Sequence, residues 1–426
     1  MEFVADFHIH SKYSRATSRD MDIKHLAEWA SFKGIKVMGT GDFTHHLWLE
    51  ELKSQLEDMG NGLFRYPASK ITGLPASVKE DIYFILTVEI SSIYSKNGRS
   101  YRIHNLIFAP SFAVADKINE ALGRRGNLAS DGRPILGVDA QEIAKIVFDI
   151  DENCMLIPGH IWTPWFSLFG SMSGFDKIED CFEDQTPRIF ALETGLSSDP
   201  MMNWRLSALD RFSLISNSDS HSPSKIGREA NVFNCGLDYQ SIRDVLKTKD
   251  KTKFLYTIEF FPEEGKYHFD GHRLCGIRFS PKETLEHKGI CPKCRKPLTV
   301  GVMSRVERLA DRPEGFVPEN AVPFKNLIPF EEIIADAKGV AKGSVAVERE
   351  YKNYIARFGS EFNILLHASE QELAQGLPKP VVDRIIKMRH GKVTIQPGYD
   401  GEYGIISISG NGPEGDSSKE KQLSLF

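Results

Sequence analysis

His8 and His10 stand two residues apart in D-F-H-I-H-S, and Asp219 and His221 repeat that interval in S-N-S-D-S-H-S-P. A two-residue period puts both members of a pair on one face of extended chain. Asp42 and His45 (G-D-F-T-H-H), Glu89 (L-T-V-E-I), His104 (R-I-H-N-L), His160 (L-I-P-G-H) and Glu193 (A-L-E-T-G) each fall in or just beyond a short apolar run. Imidazole and carboxylate donors suit divalent metals: zinc, manganese or iron, with zinc, manganese and magnesium able to exchange at carboxylate-rich sites. A donor set this large serves two or three ions. Multi-metal sites activate water and stabilise in-line displacement at phosphorus. Asp219, His221 and Asp42 are the candidates for the chemistry itself.

A second constellation lies further on. His272-x-x-Cys275 and Cys291-x-x-Cys294 form two tight pairs separated by a short loop. Two such knuckles make one closed tetrahedral site of the zinc-ribbon kind, holding one structural Zn2+. His268 and His287 are alternative fourth ligands. Between residues 266 and 325 there are 12 Lys and Arg against 7 Asp and Glu, although the whole chain carries −5. A local basic module can contact nucleic acid while the rest of the molecule stays acidic.

These side chains need elements to bring them together. Seven apolar runs (3–9, 35–40, 83–88, 103–109, 154–157, 189–192 and 212–216) alternate with stretches of helical periodicity, such as 22–33 with Ile23, Leu26, Ala27 and Ala30. Strand and helix in alternation predict an α/β fold with parallel strands and helices outside. Seven runs suggest a barrel one strand short of eight, with an open sheet as the alternative. On a barrel, all strands end at one rim, where His8, His10, Asp42, Glu89, His160, Asp219 and His221 would meet, with His104 nearby. The loop after His160 reads I-W-T-P-W-F, and its Trp162 and Trp165, beside a candidate ligand, are candidate substrate-binding residues.

The 426 residues have 41% hydrophobic and 26% charged content, which excludes wholesale disorder. No apolar run approaches the ~18 residues of a membrane span, and no basic-then-apolar leader is visible. The expectation is a cytoplasmic protein, at the nucleoid if it meets DNA. The organisation expected is a metal-dependent barrel over 1–250, a basic zinc-binding module over 251–328, a small mostly helical domain over 329–408, and a flexible tail over 409–426. The tail ends in Gln422, Leu423, Ser424, Leu425 and Phe426, a short linear motif that would order on a partner.

H-I-H-S-K-Y-S, G-D-F-T-H, the later Glu and His and S-D-S-H-S-P resemble the polymerase-and-histidinol-phosphatase superfamily over residues 1 to about 240. That resemblance implies a distorted seven-stranded β/α barrel, a trinuclear metal centre that hydrolyses phosphoesters, and metal ligands at His8, His10, Asp42, Glu89, His104, His160, Asp219 and His221. The chain departs from the second motif, in which His follows Asp directly; here Phe43 follows Asp42, and His45 would substitute. Asp20 is the nearest acidic residue for a further ligand after the first motif. Q-L-S-L-F resembles the pentapeptide with which bacterial proteins dock on the DNA sliding clamp. The order of barrel, zinc module, helical end and clamp peptide, with F-D-G-H-R-L-C-G, R-V-E-R-L-A-D-R-P-E-G and P-G-Y-D-G-E-Y-G, resembles the endonuclease Q family. It implies nicking of DNA on the 5′ side of uracil, hypoxanthine, xanthine and abasic sites. The alternatives are a phosphatase or exonuclease on the same barrel, which has no use for a zinc module or a clamp peptide, and a clamp-tethered DNA-binding adaptor with a dead barrel, which would have lost its ligands.

Overall fold

The computed structural model describes residues 1–72, 74–75 and 78–408; the clamp-peptide residues 422–426 and the rest of the tail lie outside them. Its centre is a mixed sheet. Glu2–Asp6 pairs in parallel with Val37–Gly39, which pairs in parallel with Ile82–Lys96. Ile82–Lys96 then folds back on Arg99–Ala109 as a long antiparallel hairpin, and Met155–Pro158 runs antiparallel to that second arm. Ala191–Glu193 and Ser213–Ile215 form a parallel pair. A bridge between Ile9 and Ser220 ties the end of the first strand to the loop that follows this pair.

The all-parallel expectation therefore fails: Phe64–Tyr66 and Ala230–Asn234 also pair antiparallel with their neighbours, and among the seven expected runs Arg99–Ala109 runs backwards for a local reason. Lys96 and Arg99 are joined by Asn97-Gly98, both at positive φ (52° and 77°). That is the two-residue turn whose twist matches a tight hairpin. The reversal matters for the site. On a strand running backwards, an early residue reaches the rim that the parallel strands reach late, and His104 is such a residue.

Helices cover the sheet as the periodicity requires. Ile23–Lys33 opens with Asp22 accepting from the His25 N–H and closes at Gly34 in the left-handed region (φ 86°). Its Ile23, Leu26, Ala27 and Ala30 are buried. Ala140–Ile150 and Tyr239–Thr248 are capped likewise by Asp139 and Asp238.

The sheet does not stop at residue 250. Phe254–Glu259 pairs antiparallel with Ala230–Asn234, and Phe324–Asn326 adds in parallel beyond it. The segment between carries the small hairpin Asp270–His272 and Ile277–Phe279 and the helix Val302–Leu309. Phe330–Lys338, Val345–Phe358, Glu370–Gly376 and Lys379–Arg389 then form a helical cluster. It is anchored to the first helix by a buried ion pair, Lys33 Nζ to Glu361 Oε2 at 2.6 Å. Tyr351 and the Phe330 N–H donate to the same carboxylate, so the charge is fully partnered.

Candidate metal centre

Glu89 lies in the long Ile82–Lys96 strand, and its carboxylate faces two groups of donors. His8, His10, Glu89 and Asp219 place ligand atoms within 4.8 Å of one another, as do Glu89, His104 and His160. The two oxygens divide the work. Oε2 lies 3.6 Å from His8 Nε2 and 3.3 Å from His10 Nε2. Oε1 lies 2.5 Å from His104 Nδ1 and 3.0 Å from His160 Nε2. Asp219 Oδ1 completes the first group, 3.1 Å from His10 Nε2 and 3.5 Å from His8 Nε2.

Each histidine is held through its other ring nitrogen. His8 Nδ1 meets Glu193, His10 Nδ1 meets Asp42 and Ser14, His104 Nε2 meets Ser91, and His160 Nδ1 meets Thr163. Outer partners of this kind fix the tautomer and aim the free lone pair at a metal. His8 Nε2 is buried with no hydrogen-bond partner among the described residues, as an aimed ligand atom would be.

The electrostatics point the same way. Burial opposes charge on His8 and His10, yet the carboxylates around them raise both well above the usual histidine range. Burial likewise works against Glu89 and Asp219, and the surrounding imidazoles, with Arg133 beside Glu89, hold both well below the usual carboxylate range. Burial keeps His104 neutral, at about 4, so its lone pair is free. The field favours a cation between carboxylate oxygens and imidazole nitrogens, and the donor set fits divalent ions. The backbone is bent to make it: Asp42, His160 and Asp219 are non-glycine residues at φ 51°, 29° and 46°. Such conformations persist where surrounding structure enforces them and cluster at functional sites.

Three expected ligands stand outside both groups. Asp42 is spent on its neighbours: Oδ2 accepts from the N–H and Oγ of Ser11 (both 2.6 Å) and from Ser14 Oγ (2.8 Å), and Oδ1 faces His10. Its contacts are those of a residue that orients His10. His45 stacks on Tyr13 with ring centroids 4.4 Å apart. His221 packs its ring on His10 at 4.5 Å, and its Nδ1 lies 3.0 Å from the Asp219 carbonyl. Asp20 is exposed on the loop after the first motif. Glu193, which the sequence places in the donor set after the sixth apolar run, stands behind His8 as its outer partner. Ser91, Ser14 and Arg133 were not anticipated and had no linear signal.

Trp162 packs in the core. It is completely buried, its indole N–H donates to Asn203 Oδ1, and its ring packs on Phe169. Two residues of proline-containing loop separate it from Trp165, which is 38% exposed. Trp165 lines a cavity of about 510 Å³ with Thr163, Arg228, Tyr267, His268 and Tyr403. Arg228 donates to the carbonyls of Ser218 and Asp219, which sets this cavity against the metal centre.

At the distal hairpin, His272, Cys275, Cys291 and Cys294 converge, their ligand atoms all within 4.8 Å. The alternative ligands lie elsewhere. His268 is buried away from the group, and His287 stacks on Phe279.

Among solved structures, the chain is similar to the lesion-specific endonuclease PfuEndoQ of Pyrococcus furiosus, with 31% identity and a TM-score of 0.83 over 96% of this chain and 95% of that one. It is equally similar to endonuclease Q in complex with a 27-mer duplex carrying an abasic lesion at the active site, with 31% identity and a TM-score of 0.82 over 96% and 97% of the two chains. The uncharacterized protein MJ0043 of Methanocaldococcus jannaschii is 32% identical over 291 residues, 65% of this chain but only 36% of that relative's length. Residues 329–392 match the family model described as the MJ0043 C-terminal domain. No helix among the described residues is long and apolar enough to cross a membrane.

Proposed function

Because the chain belongs to the endonuclease Q family, we propose that it is a metal-dependent DNA repair endonuclease, hydrolysing the phosphodiester 5′ to deaminated bases (uracil, hypoxanthine, xanthine) and to abasic sites. The observation that carries the reading is the shared carboxylate of Glu89, one oxygen on each of two donor groups. Divalent ions there (zinc, manganese or magnesium) would supply Lewis-acid charge and activate water for in-line displacement at phosphorus. His8, His10, Glu89 and Asp219 would hold one ion, and Glu89, His104 and His160 another. Glu193, Asp42, Ser91 and Thr163 keep the imidazoles in the ligating tautomer.

The cavity beside Asp219 takes the nucleoside at the lesion. Its volume falls in the range of small-ligand sites, and Trp165 and Tyr267 supply aromatic surface against which an everted base can stack. The four-ligand group at the hairpin holds one structural Zn2+. It stiffens a basic module on which Arg273, Arg278, Lys293, Arg295 and Lys296 are exposed toward the DNA backbone. The sequence 422–426 docks on a bacterial sliding clamp through Leu423, Leu425 and Phe426, with Gln422 bonding at the groove edge. Such a tether raises the local concentration of enzyme on DNA at the nucleoid.

Nicking of a duplex with a single uracil or abasic site, against the undamaged duplex, tests the reading. The expected result is a single cut 5′ to the lesion that requires a divalent ion and is abolished in Asp219→Asn with DNA binding retained. A wild-type protein that leaves both lesion duplexes intact at every metal tried would refute it.

A further inference from the structure

Arg133 enters the metal centre on a loop built to put it there. Asp131 Oδ1 accepts from the backbone N–H of Arg133 (3.2 Å) and of Arg15 (3.3 Å), and the Gly132 N–H donates to the Tyr13 carbonyl (3.0 Å). Gly132 lies hard against Asp42 and Ser14. A Cβ at this position would be 2.2 Å from Asp42 Oδ2 and 2.4 Å from Ser14 Oγ, so no side chain is tolerated. With the backbone pressed onto the pair that orients His10, the next side chain turns toward Glu89. Arg133 Nη1 lies 3.3 Å from Glu89 Oε2, the oxygen that also faces His10, and 29% of the Arg133 side chain remains open to solvent.

A guanidinium carries five N–H donors in a planar fork that matches phosphate oxygens. Glu89 accepts through one oxygen, so the fork has donors to spare beside a centre read here as phosphodiester-cleaving. We propose that Arg133 is a further catalytic residue, contacting the non-bridging oxygens of the scissile phosphate and neutralising the charge that builds there during displacement. This rests on the functional reading above. Hydrolysis joins a water oxygen to phosphorus and releases one ester oxygen as an alcohol, with a proton passing from the water to that alcohol. Arg133 gains and loses no proton in this balance and acts through charge and geometry alone. Asp131 and Gly132 serve it as positioning residues.

The test compares Arg133→Ala and Arg133→Lys with wild type in single-turnover nicking of an abasic duplex. Binding of the same duplex, divalent-metal content and rescue by added guanidinium ion are measured in parallel. Removing one preorganised donor at a developing anion costs about 100-fold or more in rate. The expected result is a loss of that size in Arg133→Ala with DNA affinity and metal content close to wild type, partial activity in Arg133→Lys, and recovery of Arg133→Ala by guanidinium, which leaves wild type unaffected. A nicking rate in Arg133→Ala equal to wild type would overturn the proposal. So would loss of barrel metal with no guanidinium rescue, since Arg133 would then be only a strut for Glu89. If wild type itself fails to nick the duplex, it is the functional reading that falls.

Discussion

Glu193 is completely buried and accepts three donors. His8 Nδ1 lies 3.1 Å from both oxygens, Asn217 Nδ2 2.8 Å from Oε1, and the His160 N–H 2.8 Å from Oε2. Asn217 cannot flip to help a substitute, because its Oδ1 already accepts from the Phe7 N–H and from Asn231 Nδ2. In Glu193→Gln, whichever position the new NH2 takes, it faces a donor: Asn217 on one side, the His160 backbone on the other. One buried donor loses its acceptor, a cost of about 1–3 kcal/mol borne by the fold. The bond to His8 falls from a charged to a neutral acceptor, about 1 kcal/mol weaker, and the ligand becomes less basic. Loss of an outer partner lowers metal affinity by about 10- to 100-fold, or about 1.4–2.8 kcal/mol at 1.4 kcal/mol per decade. The assay is nicking of an abasic duplex as a function of Mn2+ concentration. The half-saturating concentration should rise by that factor while the saturated rate recovers most of the wild-type value. A metal dependence identical to wild type would refute the role given to Glu193. A saturated rate near zero would show that the carboxylate touches the reaction instead.

Two further predictions rest on other parts of the molecule. Replacing both Cys291 and Cys294 by Ser should remove about one zinc per chain and weaken binding to duplex DNA, and unchanged zinc by elemental analysis would reject the hairpin site. The second concerns Glu259 and Glu229, which are completely buried; burial pushes both carboxyls up, so the fold favours their protonated forms. The unfolded chain ionises near 4.3, so it binds fewer protons than the native state at higher pH, and their contribution to stability is lost as pH rises from there through the raised folded values. Glu259→Gln should therefore raise the melting temperature relative to wild type at pH 8 and much less at pH 4.5; an equal shift at the two pH values would contradict this account.

The convergence of His8, His10, Glu89, His160 and Asp219 was legible because these residues are written at or near strand ends. The period-two pair His8/His10, Asp219, and single residues after apolar runs needed only the rule that parallel strands end together. The four-residue group was legible from spacing alone: His272, Cys275, Cys291 and Cys294 converge. The hairpin was missed, although its signal, Asn97-Gly98 between two β-rich stretches, is present. The polar middle of Ile82–Lys96, with Ser91, Ser92 and Ser95, breaks the apolar run early and made two arms of one ribbon read as separate strands. A motif gives the residue type of Asp42 but not what its side chain is bonded to; Ser11, next to His10, and Ser14, four residues beyond it, both donate to its Oδ2. Arg133 had no linear signal at all. The placement of its side chain beside Glu89 depends on Gly132 packing against residues some 90 to 120 positions away.

Contacts across the molecule explain why the sheet and the Cys-rich segment are not separable at residue 250. Asp270, at the base of the hairpin, accepts from the Gly301 N–H and from Ser304 Oγ, which fixes the start of Val302–Leu309. From that helix Arg305, almost fully buried, donates Nε to the Phe169 carbonyl and Nη2 to the Phe175 carbonyl. Those carbonyls belong to the loop that starts at His160 and carries Trp165. Tyr267, three residues before Asp270, packs edge-on against Trp165 with centroids 5.5 Å apart. A buried arginine satisfying two loop carbonyls is costly to disturb, because each released carbonyl loses a partner it cannot regain from water. The loop beside the metal centre is thus positioned from two directions, by His160 at its root and by the segment carrying His272, Cys275, Cys291 and Cys294 along its length. The four-residue group at the hairpin acquires a bearing on the cavity there, since the helix that this hairpin fixes is the one that holds the cavity wall.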